Sequence, residues 1–187
     1  MLIDLSVKVT ALTRKEAGNN EKMVAFGHLG THFDVMNKEF PLSYVKREGV
    51  AFDVSGIPER DIDVEDVDLS QVKKDMFIAF YTGFIARVEY GTKKYFKEHP
   101  QLSHQLIDIL LEHGISIIGV DFAGLRRGKE HTPKDQYCAD KGVFIVENLC
   151  NLEKVLLNKH HNSFIVNTYP IHFDGMTGLP CRVVAEL

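Results

Sequence analysis

Two histidines and an aspartate fall within the segment Gly27-His28-Leu29-Gly30-Thr31-His32-Phe33-Asp34. Neutral imidazole nitrogens and a carboxylate oxygen are the donors that hold zinc, manganese or iron, whereas calcium prefers an all-oxygen shell. His28, His32 and Asp34 share parity, so on an extended strand they project from one face while Leu29, Thr31 and Phe33 take the other. Four strand residues span about 13 Å, too far for two imidazoles to meet on one ion unless the chain bends. Gly30 occupies the intervening same-face position, leaves room for an ion and is the place for that bend. A helix with the histidines at i and i+4 fits worse, because Gly30 and Thr31 are poor helix formers and no glutamate stands beside the first histidine. The alternative is an ordinary hydrogen-bonded group of two histidines and an aspartate. Glu147, at the end of the apolar run Val143-Phe144-Ile145-Val146, offers a further ligand from a strand end, or else a carboxylate at a helix start.

Strands are expected at Ile3–Val9 and Met23–Val35, separated by a polar turn at Lys15–Glu21 with Gly18-Asn19-Asn20, and again at Gly49–Val54. Acidic residues 57–74 read as a loop with a short capped helix. Met76–Gly83 is an apolar run of strand length. Leu102, Leu106, Ile109 and Leu110 have the spacing of an amphipathic helix over 101–113, with Ser103 placed to cap it and Gly114 to end it. Buried strands follow at Ile115–Val120 and Gly142–Val146, then a helical turn or two at Leu152–Leu157, and strands at Phe164–Pro170 and Cys181–Ala185. A strand, a helix and a strand in succession predict a crossover and a partly parallel sheet, within a layered α/β architecture in which strands outnumber helices.

The chain has 187 residues, 44% hydrophobic and 26% charged, which suits one domain over residues 1–187 with a single sizeable core. Its formal charge of -4, and basic pairs scattered among acids, argue against nucleic acid as a partner. No stretch is apolar enough to cross a bilayer, and the start of the chain lacks the pattern of a signal peptide. Three cysteines without CxxC spacing favour reduced thiols in a cytoplasmic protein. Phe26, Phe33, Tyr81, Phe84 and Phe122 either line an apolar substrate pocket or belong to the core.

The segment from His28 to Asp34 resembles the hallmark His-x-Gly-Thr-His-x-Asp-x-Pro-x-His of the cyclase-type metal-dependent hydrolases, the family that includes bacterial kynurenine formamidase. It reproduces the first seven positions. Further likeness runs along the chain in Asp4-Leu5-Ser6, Tyr81-Thr82-Gly83-Phe84, Ile118-Gly119-Val120-Asp121, Glu147-Asn148-Leu149 and Gly178-Leu179-Pro180-Cys181-Arg182.

This resemblance implies a layered β/β/α fold of swivelling-domain type and a homodimer or homotetramer. It also implies hydrolysis of a small-molecule amide or cyclic amide at one or two zinc or manganese ions. Carried over by position, His28, His32 and Asp34 are metal ligands, and Glu147 binds the metal or its twin. The family places a histidine about a dozen residues before that glutamate. Here the position holds Asp135, a residue able to ligate a second ion, with His131 nearby as another ligand or a loop residue without that role. After Asp34 the family reads proline and an acid/base histidine; this chain has Met36 and Lys38. Lys38 with a depressed pKa is a candidate acid/base, protonated it is a candidate anchor for a substrate carboxylate or oxyanion, and it can equally be a surface lysine. Two functions follow: metal-assisted hydrolysis, or metal and ligand binding in a domain that lost hydrolysis when Lys38 replaced histidine.

Overall fold

The computed structural model describes residues 1–10, 26–57 and 60–187. The turn expected at Lys15–Glu21, and the first residues of the strand expected from Met23, lie outside them. Among the described residues eight strands run in chain order: β1 (Leu2–Asp4), β2 (His32–Asp34), β3 (Lys46–Asp53), β4 (Phe77–Tyr81), β5 (Ile117–Val120), β6 (Phe144–Glu147), β7 (His161–Pro170) and β8 (Gly178–Glu186). Five α-helices among the described residues accompany them: α1 (Phe84–Arg87), α2 (Lys93–Glu98), α3 (His104–Glu112), α4 (His131–Asp140) and α5 (Leu152–Leu156).

The strands pair in the order β1-β8-β2-β6-β5-β4-β3-β7, and β7 also pairs with β8. The sheet therefore closes into a barrel of seven strands, with β1 added along β8. A stack of separate layers was expected; the long antiparallel β7 and β8 instead join the two edges, which removes the unpaired edges an open sheet would leave. The parallel part is as expected: β3, β4, β5 and β6 run parallel, and β2 joins β6 antiparallel.

Alternation along the strands builds two cores. Phe77 and Ala79 of β4, with Ile117, Phe144, Val146, Phe33, Val166 and Val183, fill the barrel interior. Ile78 and Phe80, with Ile118, Val120 and Ile145, face outward against α3 and the loops beside it. Gly119 points inward, where a Cβ would stand 2.6 Å from the Phe77 ring, so only glycine lets the interior side chains meet there. Helix α3 follows its sequence pattern: Ser103 Oγ accepts from Leu106 N at 3.0 Å, and Leu106, Ile107 and Leu110 are fully buried. Each such burial is worth about 1.5–3 kcal/mol.

Further expectations are corrected. The strand expected over Ile3–Val9 is observed as Leu2–Asp4. The strand foreseen over Met23–Val35 is reduced to His32–Asp34 among the described residues, because Gly27 (φ 80°) and Gly30 (φ 77°) turn the chain. Helix α4 was not foreseen. It carries no apolar stripe, since the residues it buries, Asp135, Cys138 and Ala139, are of mixed polarity.

Candidate metal centre

Glu147 ends β6 opposite His32 in the antiparallel register, and Asp34 lies opposite Ile145. Phe33 points into the barrel, so His32 and Asp34 share the outer face with Glu147. His28 reaches the same face from the turn before β2. Bending at Gly30, expected from the sequence, brings the two imidazoles within 3.1 Å, from His28 Nδ1 to His32 Nε2. Asp34 Oδ1 stands 2.9 Å from His28 Nδ1 and 3.5 Å from His32 Nε2.

A second group joins from the start of α4. His131 and Asp135 are one helical turn apart, with His131 Nε2 at 3.1 Å from Asp135 Oδ2 and 3.4 Å from Glu147 Oε1. Glu147 also approaches His32 Nε2, at 3.6 Å through Oε2. One ligand atom from each of His28, His32 and Asp34 lies within 4.8 Å of the others, and the same holds for Asp34, His131 and Asp135. Asp34 is common to both groups. Gly124 makes room for the second: its φ is 99°, and a Cβ there would fall 2.4 Å from the His131 ring.

These contacts do not make a hydrogen-bonded cluster. Asp34 Oδ1 and Oδ2, Asp135 Oδ1 and Glu147 Oε1 are buried without a hydrogen bond. Such groups are rare because each costs its full desolvation. The outer hydrogen bonds orient both rings, and for His32 they also set the tautomer. Gly30 O, which can only accept, lies 2.9 Å from His32 Nδ1, so that nitrogen carries the hydrogen and Nε2 presents its lone pair to the cluster. His28 Nε2 is tied to Thr177 Oγ1 at 2.8 Å, leaving Nδ1 facing inward. Atoms ligating one zinc at about 2.0–2.2 Å stand roughly 3.3–3.6 Å apart, close to the separations here. The donor set fits a divalent cation.

Electrostatics agree. Burial would raise the Asp34 carboxyl, but the imidazoles of His28 and His32 close beside it outweigh burial and hold the group below the usual carboxylate range. Burial, with the Asp34 charge added, pushes Asp135 well up. Burial and the charges of Asp34 and Asp135 do the same to Glu147. Three carboxylates at one buried point repel one another unless cationic charge is supplied.

The sequence candidates His28, His32, Asp34, Asp135 and Glu147 thus meet at one place. Lys38 does not join them. It forms an ion pair with Asp140 at the far end of α4, Nζ to Oδ1 2.7 Å, with 39% of its side chain exposed. His131, weighed above as another ligand or a loop residue without that role, is in the cluster, one helical turn from Asp135. Thr177 and Tyr90, which support the first group from outside, have no motif-like spacing, whereas Asn148 lies in the Glu147-Asn148-Leu149 motif. Of the aromatic residues that could line a pocket, Phe33, Phe84 and Phe122 are core and Phe26 is exposed.

The described residues thus form a mixed seven-stranded barrel carrying a buried histidine–carboxylate cluster on its outer face. This chain belongs to the Cyclase family, whose model matches residues 3–125. Its fold is similar to that of isatin hydrolase A from Ralstonia solanacearum (TM-score 0.73, 14% identity, covering 99% of this chain and 91% of that one). It is also similar to a predicted metal-dependent hydrolase from Bacillus stearothermophilus (0.71, 16%, 99% and 97%). A third likeness is to isatin hydrolase A from Labrenzia aggregata bound to benzyl benzoate (0.70, 19%, 84% and 72%). No curated protein matches the sequence. Among the described residues no helix is long and apolar enough to cross a membrane. Cys138, Cys150 and Cys181 are free.

Proposed function

We propose that this protein is a metal-dependent hydrolase that opens an amide or cyclic amide of a small molecule. The observation that carries the reading is the set of buried carboxylate oxygens without hydrogen bonds, facing His28 Nδ1 and the lone pair of His32 Nε2, whose ring gives its Nδ1 hydrogen to Gly30 O. In this reading His28, His32 and Asp34 hold one ion. Asp34, His131 and Asp135 hold a second, and Glu147 stands between His32 and His131. Zinc and manganese are the cations we propose, since both accept this mixture of nitrogen and oxygen.

When bound, a divalent ion supplies Lewis acidity toward a carbonyl and brings the pKa of water toward neutrality. The chain supplies the rest. Thr177 and the Gly30 carbonyl orient the imidazoles, and the three carboxylates balance the added positive charge. Overall, water adds to the carbonyl carbon, the C–N bond breaks, and the amine leaves with a proton as the carboxylic acid forms. The scheme gives Lys38 no proton to move, because its Nζ is paired with Asp140 Oδ1 outside the cluster.

That same ion pair favours a second reading, a metal- and ligand-binding domain without hydrolysis. Metal quantitation, with turnover of formylated aromatic amines and cyclic amides, separates the two. His32→Ala should lose metal and turnover together, and chelation of the wild-type protein should do so reversibly. An active, metal-free His32→Ala protein sinks the proposal, and activity confined to Lys38→His supports the binding role. We further propose a homodimer or homotetramer, to be checked by light scattering.

A further inference from the structure

Immediately after Glu147, Asn148 is 1% exposed and has a φ of 61°, a left-handed conformation that asparagine tolerates better than most residues. All its polar groups are used. Its backbone N donates to Phe122 O at 3.1 Å, and its backbone O accepts from Thr31 Oγ1 at 2.8 Å. The buried Tyr95 hydroxyl donates to Oδ1 at 2.9 Å, so the amide must turn its NH2 the other way, and Nδ2 donates to Gly30 O at 2.9 Å. That carbonyl is also the acceptor for His32 Nδ1. On the other side, Gly30 N donates to the Tyr90 hydroxyl at 2.7 Å. A glycine whose backbone could otherwise rotate freely is gripped at both its N–H and its C=O.

We propose that Asn148 is a positioning residue that fixes the tautomer and aim of His32 through the Gly30 carbonyl, with Tyr95 orienting the asparagine amide. The claim rests on the reading of the cluster as a metal centre. A carbonyl held by Asn148 stays in place to take the His32 Nδ1 hydrogen, and Nε2 is kept unprotonated toward Asp34 and Glu147. Without the asparagine NH2, the Gly30 peptide can tilt and the imidazole loses the partner that selects its tautomer. Outer partners of this kind change metal affinity by about 10–100-fold.

The test is Asn148→Asp, which keeps shape and the Tyr95 acceptor but turns an oxygen toward Gly30 O. Two readouts are needed: Co(II) affinity by visible absorbance, and the protonation of the His32 ring nitrogens by NMR of the metal-free protein. We expect a folded variant whose Co(II) dissociation constant rises about 10–100-fold, with His32 shifting from the pure Nδ1–H form to a mixture. A packing role alone would leave the His32 tautomer unchanged. A folded Asn148→Asp with wild-type values for both readouts overturns the proposal. If Asn148→Asp does not fold, Tyr95→Phe, which frees the amide to flip, decides by the same two readouts. If the wild-type protein takes up no Co(II), the metal reading fails. The tautomer measurement still decides what Asn148 does.

Discussion

Gly124→Ala adds a single methyl group and tests the second half of the cluster. The new Cβ would lie 2.4 Å from His131 Cε1, 2.5 Å from its Nδ1 and 3.1 Å from Glu147 Oε1. Carbon–carbon contact needs about 3.5 Å, so the ring must withdraw by roughly 1.1 Å, while metal–ligand distances tolerate only about 0.2 Å. The variant should therefore lose His131 as a ligand and keep His28, His32 and Asp34. Alanine at a φ of 99° also carries strain of about 1–2 kcal/mol, worth about 2–8 °C in Tm for a chain of this size. Calorimetry would read the stability, and elemental analysis with a metal titration would read the stoichiometry. We expect fewer ions bound per chain and weaker binding of those that remain. A double-mutant cycle sharpens the test. His131→Ala removes the group the methyl strikes, so Gly124→Ala should cost less stability in that background than in wild type, by about 0.5–3 kcal/mol of coupling. Additive losses, with wild-type metal content in Gly124→Ala, would refute the placement of His131.

Thr177→Val removes the oxygen that holds His28 Nε2 and should weaken metal binding about tenfold or more, as measured by competition with a chelating dye, without unfolding the chain. Lys38→Ala breaks an exposed ion pair, so it should change stability by less than about 1 kcal/mol in urea unfolding and leave turnover intact; a loss of turnover would return Lys38 to the site. Metal at 100 times its Kd should stabilise the protein by about 2.7 kcal/mol, and a chelator should reverse the rise in Tm. His99, stacked on Phe122 and buried, has its pKa lowered to about 4 by burial. Between pH 6.5 and 4 the unfolded chain binds the proton that folded His99 refuses, so stability is full above that window and falls through it as pH drops, by on the order of 3 kcal/mol in all. His99→Phe should flatten that part of the stability–pH curve, and an unchanged slope would show that His99 does not titrate there.

Much of this protein is readable from local sequence. The strands β4 to β6, the capped helix α3 and the grouping of His28, His32 and Asp34 about Gly30 depend on interactions within a few residues, where periodicity and glycine freedom act directly, and the order strand, helix, strand announces the parallel crossover. Tertiary structure alone decided the rest. Barrel closure comes from β7 and β8 pairing along their length, a contact between distant segments that alternation does not encode. Helix α4 has no apolar stripe to announce it, because it is held in place by loops and strands rather than by its own pattern. His131 and Asp135 become partners of Glu147 only once α4 lies over β6. Lys38, adjacent to the motif in sequence, is drawn away to Asp140. A short motif fixes which donors are available, but ligand geometry is a sum over segments far apart in the chain, and only the packed fold sets those distances.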